Sequence, residues 1–113
     1  MARFRKIYDP IHRFIHIDST ENELIESRPF QRLQYIHQLG VSFLVYPSAT
    51  HRRYEHSLGV MEVSSQIYDS MTSTRPTSKK MDILLKRYLP KKGSKEDLYW
   101  RRIVRLAALC HDL

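Results

Sequence analysis

The stretch from about His51 to Met71 constrains this chain more than any other. Its residues His56, Val60, Val63, Ile67 and Met71 recur at i, i+4, i+7, i+11 and i+15, the spacing of one apolar stripe on a long α-helix. A helix of that kind must find other elements to cover its stripe, and most of the remaining chain carries helix signals. Thr20 with Glu23 reads as a capping box opening a short helix to about Glu26. Ser27 then caps a second helix with Pro29 in its first turn, an apolar stripe of Phe30, Leu33 and Ile36/His37, and Gly40 at its end. Residues 41–50 form an irregular connector, and Thr72–Ser78, with Pro76, a linker. A basic helix follows over about Lys80–Leu89, stopped by Pro90 and Gly93. Ser94 with Asp97 opens the last helix, which carries Leu98, Ile103, Leu106 and Leu109/Cys110. Only the N-terminus leans toward strand: residues 4–8 and 14–18, split by Asp9-Pro10, read as a hairpin or extended pair. The expected class is all-α with a short N-terminal β-hairpin or extended segment.

Length and composition narrow the function. At 113 residues there is room for one small domain. The single cysteine, Cys110, excludes an internal disulfide framework and fits a reducing compartment. No apolar run approaches the roughly 18 residues of a membrane span, and the first residues lack a secretory signal, so a cytoplasmic protein without membrane association is expected. Gly40, Gly59 and Gly93 lie too far apart for a phosphate loop. The net charge of +7 is concentrated: residues 1–74 carry eight cations and eight acids, whereas residues 75–105 carry eleven cations against three acids. That basic segment is either a solvated face or a surface for phosphate, nucleic acid or an acidic partner.

Chemistry is most legible at His56 and at the adjacent His111-Asp112. Imidazole nitrogen with carboxylate oxygen suits Fe, Mn, Zn or Ni, and carboxylate alone would favour Mg. His56 lies on the stripe of its helix and is expected to face inward, as is His111 above Ala107 and Val104. Three such ligands are too few for a closed structural site and leave room for a further ligand and water. Spacing alone leaves open a hydrogen-bonded core histidine and a solvated carboxylate. Arg53 sits one turn before His56, where its planar fork could clamp phosphate beside a metal; pairing with Glu55 or Glu62 at the surface is the plainer alternative. Cys110 reads as a small core residue, and His12, His16, His37 and His51 as surface or hydrogen-bonded side chains.

These residues stand in a recognisable context. Phe30-Gln31-Arg32-Leu33, Ile36, Gln38-Leu39-Gly40, Tyr46-Pro47, His51, Arg53 and Glu55-His56-Ser57-Leu58-Gly59-Val60 resemble the HD-domain phosphohydrolases, within them the deoxynucleoside triphosphate triphosphohydrolase branch. Asp9-Pro10-Ile11-His12 and Leu106-Ala107-Ala108-Leu109-Cys110-His111-Asp112-Leu113 match that branch too. The resemblance covers roughly residues 5–71 and 103–113, and the basic insert of about 72–100 has no counterpart in it. It implies an HD helical bundle, incomplete at the C-terminus, of which residues 1–113 are the N-terminal part. Within that part, 1–19 would be the extended segment, 20–72 the helices carrying the first metal histidine, 73–95 a basic linker and 96–113 the helix with the His-Asp pair. The resemblance further implies a divalent metal on His56, His111 and Asp112, a substrate-phosphate contact at Arg53, and a deoxyribose pocket at Gln38 and Leu39. The implied reaction converts a dNTP and water to deoxynucleoside and triphosphate in a homo-oligomer. A later Asp ligand falls outside these residues, so turnover is not expected from this stretch alone. The alternatives are another HD-type nucleotidase or phosphodiesterase, and a non-catalytic nucleotide- or nucleic-acid-binding or oligomerisation module built on residues 75–105. Arg13 stands where the family usually has glycine, and Gln34 where regulated members carry arginine.

Overall fold

The computed structural model describes residues 5–73 and 78–113; Phe4 of the expected first strand, and Arg75 and Pro76 of the expected linker, lie outside them. Strands β1 (Arg5–Asp9) and β2 (Arg13–Ile17) form an antiparallel hairpin with Ile7 opposite Ile15 and Asp9 opposite Arg13. The Asp9 carboxylate accepts the amides of Ile11 (3.0 Å) and His12 (2.8 Å), so the three-residue turn is built on its own first side chain. Arg13 closes that turn at φ +60°, the left-handed conformation that glycine would adopt without strain. Alternation along β2 buries Ile15 and Ile17 and leaves Phe14 and His16 outside.

Helix α1 (Ser19–Glu26) starts two residues earlier than Thr20 suggested. Asp18 caps it, accepting the Glu21 amide at 2.8 Å, while the Glu21 carboxylate accepts the Asp18 amide at 3.0 Å. Glu21 is recruited because its carboxylate is buried against Arg105. The second helix is shorter than expected. One α-turn, α2 (Arg28–Gln31), tightens into a 3-10 turn over Arg32–Tyr35 and ends at Ile36, not at Gly40. Ser27 occupies its N-cap position but makes no side-chain cap, its hydroxyl donating instead to the Leu24 carbonyl. Phe30 and Leu33 are its buried residues, and Ile36 packs against the core.

The long helix is present as α3 (Arg53–Ser73), but its apolar stripe does not face the core. Val63, Ile67 and Met71 are exposed, and the buried face is Ser57, Leu58, Met61 and Ser65. The reason lies on its partner, α5 (Lys95–Cys110), which buries Asp97, Arg105 and Leu109 and leaves Leu98 and Ile103 exposed. A buried arginine and aspartate need polar partners, and this face of α3 supplies the Ser65 and Tyr68 hydroxyls where the Val/Ile stripe cannot. Helix α4 (Lys79–Tyr88), capped by Ser78, is amphipathic yet buries no side chain. The apolar core joins Ile15 and Ile17 of β2, Ile25, Phe30, Leu33, Leu58, Met61 and Leu109. Among the described residues no helix is long and apolar enough to cross a membrane.

The α3–α5 pair is antiparallel, and polar contacts mark its register. As the α3 residue falls from Asp69 to Ser65 to His56, its α5-side partner rises from Arg101 to Arg105 to Asp112. At the far end the Tyr68 hydroxyl donates to the Asp97 carboxylate (2.9 Å), which also accepts the Gly93 amide (2.8 Å). Asp69 there accepts a two-pronged contact from Arg101 (2.9–3.2 Å) and a bond from Lys92 (2.8 Å).

Candidate metal centre

The opposite end of the same helix pair carries the residues singled out in the sequence. His56 lies in the first turns of α3 with Arg53 one turn before it. Helix α5 ends at Cys110, so His111 is its C-cap, still in helical conformation, and Asp112 lies just beyond it. The His111 Nδ1 donates to the Ala108 carbonyl at 2.7 Å, which directs Nε2 outward as the free ring nitrogen. Asp112 Oδ2 lies 3.7 Å from His56 Nε2, 3.5 Å from His111 Nε2 and 3.5 Å from Arg53 Nη1. One ligand atom from each of His56, His111 and Asp112 falls within 4.8 Å of the others. Donor atoms bound about 2.0–2.2 Å from one tetrahedral ion lie roughly 3.3–3.6 Å apart, so these three need only small adjustments to share a divalent cation. Two neutral nitrogens and a carboxylate are the donor set such an ion takes.

Other expectations sort themselves around this centre. His56 is half-buried, with its side chain 35% exposed, rather than directed fully inward. Arg53 pairs with Asp112, not with Glu55 or Glu62; Glu55 instead accepts the Arg52 amide at 3.0 Å and caps the start of α3. The Gln38 amide donates to the His51 carbonyl (3.1 Å) and the Arg53 amide to the Ile36 carbonyl (2.9 Å), so the 36–38 segment lies alongside the entry to α3. The Gln38 side-chain oxygen is buried without a hydrogen-bond partner among the described residues, and Leu39 is half exposed. Cys110 is partly rather than fully buried, and burial raises its thiol pKa, opposite to a reactive thiolate.

Sequence reading did not bring His12 and His51 together in one groove. A groove of about 550 Å³ opens beside His56, with Ile11, His12, His51, Glu55 and Gly59 in its wall. A Cβ at Gly59 would sit 3.1 Å from His12 Nε2, so the glycine in Glu55-His56-Ser57-Leu58-Gly59 lets the hairpin turn approach the helix. The glycine was visible in the sequence; its neighbour, 47 residues away, was not.

Comparison with known protein-family models finds no match. Curated relatives do exist. The human deoxynucleoside triphosphate triphosphohydrolase SAMHD1 is 34% identical over 109 residues, 95% of this chain and 14% of that protein. A protein of Acanthamoeba polyphaga mimivirus, named only as containing an HD domain, is 33% identical over 106 residues, 91% of this chain and 22% of the viral protein. An uncharacterized protein of Methanocaldococcus jannaschii is 49% identical over 67 residues, 59% of this chain and 15% of its own length. The chain thus spans between a seventh and a quarter of the length of these relatives.

Proposed function

The chain is a homologue of one segment of the HD-domain proteins related to deoxynucleoside triphosphate triphosphohydrolases, and from that premise we propose that it contributes most of the metal centre and part of the substrate pocket of a metal-dependent dNTP triphosphohydrolase. The observation that carries this reading is the convergence of His56, from the start of α3, with His111 and Asp112, from the end of α5. A bound divalent ion supplies positive charge that polarises phosphate oxygens and lowers the pKa of a bound water. The residues of this chain do the holding and orienting. His111 is held in one orientation by its bond to the Ala108 carbonyl, and the Asp112 carboxylate would bring the negative charge that favours a cation. Arg53, 3.5 Å from Asp112 and 35% exposed, can swing its fork onto a phosphate and stabilise charge developing on its oxygens. The unpartnered Gln38 oxygen offers an acceptor to a sugar hydroxyl, with Leu39 beside it in sequence.

The test is binding of a dNTP to the protein in the presence and absence of Mn²⁺, with His111→Ala as control. We expect Mn²⁺-dependent binding that His111→Ala abolishes. Equal binding in the variant would sink the reading. Preference for a nucleoside monophosphate or a cyclic nucleotide would point to another HD-type hydrolase instead. A second reading draws on the exposed cations Lys79, Lys80, Arg87 and Lys91 of α4 and the turn after it. Salt-dependent binding to a polynucleotide that survives His111→Ala and fails when these four are neutralised would favour a nucleic-acid-binding role.

A further inference from the structure

Arg105 is buried at the centre of the helix pair, at 6% exposure. From α5 its guanidinium reaches three other elements at once: Nε and Nη2 bond the Glu21 carboxylate on α1, Nη1 the Ser65 hydroxyl on α3, and Nη2 the His16 carbonyl on β2 at 2.7 Å. Glu21 is buried as well, at 2% exposure. Replacing a buried ion pair by apolar side chains of similar volume is often neutral or stabilising, so stability is a poor account of why this one is here; setting one packing register is the better-attested use. The need for such a device is visible on α3, whose buried face offers only Leu58 and Met61 between Ser57 and Ser65. Two apolar side chains discriminate weakly between packings one turn, about 5.4 Å, apart. A planar fork with one matching set of acceptors discriminates strongly.

We infer that Arg105, through Glu21 and Ser65, is the positioning residue that sets α5 on α3 in the register at which His111 and Asp112 meet His56. The Tyr68–Asp97 and Asp69–Arg101 contacts hold the far end of the pair, leaving Arg105 as the last polar rung before the metal centre, about two turns from Asp112. Because His111 and Asp112 sit where α5 has already ended, their placement depends on this rung more than on packing of their own. The inference rests on the metal reading above, and it deepens that reading by naming what assembles the site.

The experiment compares wild type with Arg105→Met/Glu21→Met, which removes the pair without leaving a buried charge, and with Arg105→Lys. Mn²⁺ affinity is measured alongside the distance distribution between spin labels at Val63→Cys and Ala107→Cys, both exposed, in a Cys110→Ser background. We expect the double variant to stay folded, to bind Mn²⁺ about tenfold or more weakly, and to show a broadened or shifted label distribution. Arg105→Lys keeps a cation for Glu21 but cannot span Ser65 and His16 together, so it should fall between; should the double variant fail to fold, this one decides. An unchanged label distribution in a folded variant overturns the inference whatever Mn²⁺ does. A wild type that binds no Mn²⁺ overturns the metal reading instead, and the label distances still judge Arg105.

Discussion

The two ends of the α3–α5 pair are built from the same kinds of side chain and finished differently. At the far end every group is matched: Tyr68 and Gly93 donate to Asp97, and Arg101 and Lys92 to Asp69, all at 2.8–3.2 Å. At the near end the Asp112 carboxylate accepts no side-chain hydrogen bond among the described residues, and Arg53, His56 and His111 stand 3.5–3.7 Å from it. The far end spends its charges on one another. The near end holds its donors just beyond contact distance, at the spacing of groups around an ion, which is why we assign structure to the first and binding to the second.

Substitution should separate the two most sharply. Asp97→Ala leaves the Gly93 amide without its acceptor and removes the buried carboxylate that Tyr68 bonds, so it should destabilise by about 1–3 kcal/mol in chemical denaturation. Asp112→Ala should shift stability by less than about 0.5 kcal/mol, because nothing hydrogen-bonded is lost. Equal losses at the two sites would erase the distinction drawn here.

The pH dependence should come from the far end. The Arg101 guanidinium beside Asp69 holds its carboxyl at about 2, below the ordinary 3.8, and the Gly93 amide, together with Tyr68, lowers that of Asp97. Both acids therefore add stability that is full above pH about 4 and is lost as the pH falls through their folded values. Burial, then the bond to Asp97, pushes Tyr68 up to about 12, so its contribution is present below pH 10 and lost as the pH climbs toward 12. Thermal melts across pH should show both losses, and Tyr68→Phe should remove the alkaline one while sparing the acid-side contribution of Asp69.

How much of this was readable in advance differs between the same two ends. His56 and His111-Asp112 could be singled out through the family resemblance of the motifs around them, whereas their spacing alone left a core histidine and a solvated carboxylate open. The far end could not be singled out: Tyr68, Asp69 and Arg101 look like ordinary solvated helix residues until α3 and α5 are laid side by side. The same blindness turned α3 the wrong way. Counting apolar residues chose the Val63–Ile67–Met71 stripe, but which face is buried depends on what the opposing helix presents, and Arg105 and Asp97 demanded serine and tyrosine. The cap of α1 shows it in miniature. Asp18–Glu21 and Thr20–Glu23 are equally good boxes in sequence, and Arg105, 84 residues away from Glu21, decides between them.

The smallest expected effect lies in the hairpin that closes over the near end. Arg13 holds φ +60°, which costs a residue with a Cβ about 1 kcal/mol. Arg13→Gly relieves that strain but frees the unfolded chain, so a gain of about 0.5 kcal/mol is expected in the denaturation midpoint, with no change in metal binding.

The most direct test is a calorimetric Mn²⁺ titration of wild type and Asp112→Ala, each with its melting temperature recorded. One bound ion in the wild type, lost in a variant that melts at the same temperature, is the predicted result. Undiminished binding without Asp112 would contradict the assignment of the near end as a metal centre.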